Sequence, residues 1–83
     1  MENWTQEEAI AFECARECIT HMMAICSGAL HDNPSDERRA ELVAERNRLA
    51  VEQRTLRLKD HAEIARIRTE YGAIIRASIS SGK

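Results

Sequence analysis

Cys14, Cys18 and His21 stand at positions i, i+4 and i+7, so on a helix all three project from one side. Two thiolates and an imidazole suit a soft metal, and Met22 beside them would serve Cu(I). The set is incomplete. Structural zinc sites draw four ligands, often as two close pairs, whereas these three lie on one helix and the second helix offers no further Cys/His pair. Free cysteine also packs as a small buried hydrophobe. The expectation is therefore packing cysteines, no metal and no cofactor, with Cys14, Cys18 and His21 as the only candidates for a metal site.

A cysteine nucleophile needs a lowered pKa and an oriented base. His21 lies one turn from Cys18, but no third residue is placed to orient it. Gly28, Gly72 and Gly82 are isolated, so no glycine-rich loop exists to cradle a phosphate or an oxyanion. No catalytic residue is named, and the chain is not expected to be an enzyme.

The arginines are the remaining chemistry. Arg38, Arg39, Arg46, Arg48, Arg54, Arg57, Arg66, Arg68 and Arg76 run along the C-terminal half. Phosphate binding needs several of them on one exposed face. They are instead spread around the helix and interleaved with Glu41, Glu45, Glu52, Glu63 and Glu70. Pairs such as Glu41 with Arg48 and Glu63 with Arg66 read as surface ion pairing. No helix-turn-helix spacing or row of stacking aromatics accompanies them. Nucleic-acid binding through this arginine-rich segment is the second reading, behind protein–protein interaction.

The elements that position these residues are set by one proline. Pro34, in the run His31-Asp32-Asn33-Pro34-Ser35-Asp36, is the single strong break between Thr5 and about Ser78. Before it, Thr5-Gln6-Glu7-Glu8 is a capping box, with Trp4 placed to fold onto the first turn near Ala9 or Ile10. Ala11, Ala15, Cys18, Met22, Ile25 and Ala29 then alternate by four and three, and Phe12, Ile19 and Cys26 broaden that face. Glu13, Arg16, Glu17 and Thr20 fall on the other side, and Gly28 weakens the helix near its end. After the turn, Asn33 is placed as a cap and Pro34 as the first helical residue.

Leu42, Leu49 and Leu56 repeat every seven residues, with Arg46 and Gln53 in the intervening slots. Ile64, Ile67, Tyr71, Ile74 and Ser78 continue the pattern, flanked by Ile75 and Ile79. Lys59-Asp60-His61-Ala62-Glu63 is the ambiguous stretch. Asp60 with Glu63 would cap a third helix, yet no Gly or Pro forces a break there.

These signals predict an all-α protein, one helical domain over residues 1–83. Its preferred form is an antiparallel helical hairpin: a helix over about 5–30, a turn at 31–34 and a long helix over about 35–78. The alternative is a three-helix bundle with a break near Asp60. A continuous second helix of about 45 residues would outrun its partner by far, leaving the Ile64–Ile79 stripe bare. A second copy would then cover it, giving a bundle or coiled-coil-like homodimer. An 83-residue chain buries only roughly 60–65% of its unfolded surface, which also favours association.

Charge is uneven. Residues 1–37 carry eight acidic groups and one basic group, whereas residues 38–83 carry six acidic and eleven basic. An acidic helix lying against a basic one in the same hairpin accounts for this. Met1-Glu2-Asn3-Trp4 shows neither the basic start nor the apolar core of a secretion signal, and no run approaches a membrane span. Three cysteines on one helix suit reduced thiols, so the expected location is cytoplasmic and no membrane partner is expected.

The functional expectation is a non-enzymatic interaction module. A small bacterial or phage/mobile-element adaptor, or an inhibitor that binds a host protein, is the kind of protein that fits. Its contact surface is expected at Ile64, Ile67, Arg68, Tyr71, Ile74 and Ile75, where Tyr71 brings a flat body with a polar tip and the arginine flanks it.

Overall fold

The structure is a computed structural model that describes residues 5–81. The described residues form three helices, α1 over Gln6–His31, α2 over Asp36–Thr55 and α3 over His61–Ser81, with no strand among them. The all-α expectation holds. Trp4, Gly82 and Lys83 lie outside the described residues.

The start of α1 follows from its capping box. Thr5 Oγ1 accepts from the Glu8 N–H at 3.0 Å, and Glu8 Oε1 accepts from the Thr5 N–H at 2.9 Å. The helix passes through Gly28 and ends at His31, where the Asp32 N–H returns to the Ala29 carbonyl. The cap of α2 differs from expectation. Asn33 takes the left-handed region at φ 55°, which an N-cap does not adopt, so the chain turns there. Ser35 caps instead, its hydroxyl accepting from the Arg38 N–H at 3.2 Å, and Asp36 and Glu37 fill the first turn.

The long second helix is not continuous. It stops at Thr55, and Leu56 becomes extended (φ −66°, ψ 134°). The break needs neither Gly nor Pro because tertiary burial sets it. Folding back buries Ile64, Ile67, Tyr71 and Ile75, at about 1.5–3 kcal/mol for each large apolar side chain. The few helical hydrogen bonds given up are worth only about 0.5–1.5 kcal/mol each. Turn bonds replace some of them: the Asp60 N–H donates to the Arg57 carbonyl, and Asp60 Oδ2 accepts from the Arg57 N–H at 2.9 Å. Asp60 thus sits where a cap was expected, but its carboxylate reaches backward, and Glu63 pairs with Arg66 rather than closing a capping box.

α1 is the central element and packs against both other helices, in an envelope of 51 × 27 × 16 Å. His61 lies beside Glu8, and Arg68 and Arg76 lie near Cys18, so α3 climbs in the same direction as α1. Among the described residues, α2 and α3 meet through side chains alone. The core is Ala15, Ile19 and Cys26 of α1, Leu42, Leu49 and Leu56, and Ile64, Ile67 and Tyr71 of α3. The leucine heptad is buried as its spacing predicts. The centre of the α1 seam is displaced: Ile19 is fully buried, while Met22 and Ile25 are only half-buried. A helix covered from two sides buries the strip between its partners, which broadens the seam toward Phe12, Ile19 and Cys26.

Candidate functional site

The stripe expected to serve as a contact surface is interior. Ile64, Ile67, Tyr71 and Ile75 are buried by the chain's own α1 and α2, and Tyr71 is only 5% exposed. Arg68 and Ile74 remain exposed. The correction has one cause: the break at Leu56–Asp60 lets one chain cover what a continuous helix would have left bare.

Tyr71 is held by a charged junction. Its hydroxyl donates to Glu52 Oε1 at 2.6 Å, while Arg66 donates to Glu52 Oε2 at 2.8 Å and lies 5.7 Å from the tyrosine ring centre. Arg66 also reaches Glu63 and Glu70. Burial, then the bond to Glu52, pushes the Tyr71 phenol up from its ordinary value. Every group here is spent on another, which is the signature of a structural junction.

The cysteines and His21 do not converge. Cys14 and Cys18 are half-buried, Cys26 is buried, and all three are free thiols. His21 is exposed on the outer face of α1. No group of three or more His, Cys, Asp or Glu side chains is placed to hold a metal ion among the described residues. Burial pushes the Cys18 and Cys26 thiols up from their ordinary value, the opposite of the shift that activates a nucleophile.

The charges are arranged differently from the simple pairing of an acidic helix with a basic one. Among the described residues Glu8 is the one group of α1 in an ion pair with another segment, accepting Lys59 Nζ at 3.0 Å and His61 Nε2 at 2.6 Å, and the remaining ion pairs lie within or between α2 and α3. Arg48 joins Glu45 and Glu52 rather than Glu41, which pairs with Arg38. Glu7, Glu13 and Glu17 have no ion-pair partner among the described residues.

That leaves a distinct outer face on α1. Ile10 is 55% exposed, in a shallow groove with Gln6, Ala9, Glu13, Cys14 and Glu17. A separate shallow depression on the same helix is lined by Glu17, Thr20, His21 and Ala24. An apolar floor edged by uncompensated carboxylates can take an apolar side chain and a cation together. By spacing, Glu13, Arg16, Glu17 and Thr20 fall on the side of α1 opposite the seam, and all four are exposed. The signal that marks it is Ile10, Cys14, Glu17 and His21 at steps of four, three and four.

Comparison of the chain with protein-family models, curated proteins and solved structures finds no match. The site is therefore read from its own geometry. No helix of the described residues is long and apolar enough to cross a membrane.

Proposed function

We propose that this protein is a non-enzymatic interaction module that binds a partner protein through the outer face of α1. One observation carries the reading. Ile10 stands exposed beside Glu13 and Glu17, which have no ion-pair partner among the described residues, while the chain's own core is filled by other residues. A basic partner surface with one apolar side chain fits such a face. An adaptor or inhibitor of bacterial or phage origin, acting on a host protein in the cytoplasm, is the kind of protein this describes, and three free thiols suit that compartment. Homodimerisation now rests on the same face, because the α3 stripe is covered. Arg68 and Arg76 of a second copy, which have no ion-pair partner among the described residues, would answer Glu13 and Glu17.

The test is a photo-crosslinking residue placed at Ile10, with Val51, also exposed, as the control position. A discrete adduct at Ile10 that disappears when Glu13→Lys and Glu17→Lys are added supports the reading. Its mass separates a partner from a second 9.4 kDa copy. Equal labelling at Ile10 and Val51 would sink it.

The second reading, a small nucleic-acid-binding regulator, is favoured by Arg39, Arg46, Arg54 and Arg57, which lack ion-pair partners among the described residues. Binding to arbitrary duplex DNA that weakens steeply with salt would favour it over the first.

A further inference from the structure

Two kinds of arginine share α2. Arg38 and Arg48 are tied to Glu41, Glu45 and Glu52. Arg39 and Arg46 meet no carboxylate among the described residues. They stand seven residues apart, on one face of the helix, and line a shallow groove at the hairpin end of the molecule. The last turns of α1 contribute Ser27, Leu30 and His31 to it, and the turn contributes Asn33. Asp32 and Asp36 flank the turn in sequence but do not line the groove.

Every polar side chain of this lining can donate a hydrogen bond: two guanidinium forks, an imidazole N–H, an amide and a hydroxyl. None is a carboxylate. The two arginines are about 10.5 Å apart along the axis at 1.5 Å per residue, and Arg46, leaning toward the helix N-terminus as helical side chains do, extends toward Arg39. Leu30 supplies an apolar floor, and Arg46 is half-buried, so part of the donor set is held against protein rather than free in water.

We infer that this groove binds a phosphoryl group, gripped between Arg39 and Arg46 with Ser27, His31 and Asn33 completing its oxygen contacts. A carboxylate is satisfied by a single guanidinium fork, whereas a phosphoryl group has oxygens enough for two forks and further donors. The group arrives either on a small phosphate ester or as one phosphodiester of a polynucleotide. The inference stands apart from the protein-binding reading, since the groove lies between α1 and α2 at the turn and Ile10 lies near the start of α1.

The test uses the full chain labelled with nitrogen-15, titrated separately with inorganic phosphate, a single-stranded oligonucleotide, and acetate at matched ionic strength. The expected result is saturable movement of the Arg39 and Arg46 side-chain Nε–H signals and the Asn33 amide, with Arg54 and Arg57 unmoved. Arg39→Gln with Arg46→Gln should weaken that binding at least tenfold. Arg39→Lys with Arg46→Lys, which keeps charge and loses the forks, should fall between and serves if the first variant unfolds. Phosphate binding as tightly as the oligonucleotide assigns a small ester. Much tighter oligonucleotide binding, with a salt slope of roughly 0.7 per neutralised phosphate, assigns a polynucleotide. Acetate reproducing the shifts, no saturation with either phosphate probe, or unchanged binding by the variants would each overturn the inference.

Discussion

The Tyr71 hydroxyl donates to Glu52 Oε1 at 2.6 Å, and this bond joins α3 to α2 where their backbones do not meet. Arg66 holds the other oxygen of the same carboxylate and lies over the same ring. The acceptor is a carboxylate and the site part-buried, which places the bond in the stronger class.

Tyr71→Phe should keep the ring packed and lose only this bond. The expected cost is about 1.5 kcal/mol, the low end of the range for bonds to charged groups, because Arg66 still serves Glu52. Tyr71→Ala also empties the core beneath and should cost about 3–5 kcal/mol. Urea denaturation separates the two. A phenylalanine variant as stable as wild type would mean the bond adds nothing.

Glu8 gives a pH dependence. The Thr5 N–H, then Lys59 and His61, hold its carboxyl at about 2, well below the ordinary 4.5. A lowered folded-state pKa means the unfolded chain binds the proton more readily. The stabilisation is therefore complete above about pH 4.5 and is lost as pH falls toward 2. Unfolding midpoints measured from pH 6 to pH 2 should drop through that window, and Glu8→Gln should flatten the drop. An unchanged slope in the variant would assign the acid sensitivity elsewhere.

Gly28 sits exposed in the body of α1 with an ordinary negative φ, and a Cβ built there would meet nothing within 4 Å. No packing or turn requires glycine, and alanine limits the unfolded chain more. Gly28→Ala should raise stability by about 0.5–1 kcal/mol, read as a higher melting temperature. A lower one would show that the helix end depends on Gly28 in some other way.

Local chemistry made much of this fold readable. The Thr5–Glu8 capping box and the Leu42–Leu49–Leu56 repeat depend on spacing within a few turns and form as read, whereas the stripe read as Ile64, Ile67, Tyr71, Ile74 and Ser78 is buried at Ile64, Ile67 and Tyr71 and then at its flank Ile75, with Ile74 and Ser78 exposed. The break at Leu56–Asp60 was not decided locally. No residue there forbids a helix, and the gain that drives it comes from burial against α1, distant in sequence. The same reason hid the Glu8 contacts with Lys59 and His61, and the bond from Gln53 Nε2 to Thr20 Oγ1 at 2.6 Å, which turns a polar slot in the heptad into a clamp between α1 and α2. The outer face of α1 was overlooked for a related reason. Opposite charges in one chain suggest mutual neutralisation, whereas Arg38, Arg48 and Arg66 pair with glutamates on their own helices.

The displaced seam of α1 supplies the sharpest test of the fold. Spacing alone centres that seam on Met22 and Ile25, and makes Ile25→Asp the disruptive change. The structure centres it on Ala15, Ile19 and Cys26, with Ile19 fully buried and Ile25 half-buried and outside the cluster that packs on the core. A carboxylate at Ile19 would have no partner and no water, a cost of several kcal/mol in a domain whose whole stability is only about 5–15 kcal/mol. Ile19→Asp should therefore unfold the chain, while Ile25→Asp should stay helical and melt cooperatively. Because an unfolded variant gives no number, Ile19→Ala and Ile25→Ala supply one. The first should cost about 2–5 kcal/mol, as deletion of a fully buried aliphatic side chain does, and the second less than half of that. Circular dichroism melts of the four variants decide the matter. If the Ile25 changes prove the more damaging pair, α1 is rotated by about a quarter turn from the arrangement described, and the exposed face carrying Ile10, Glu13 and Glu17 moves with it.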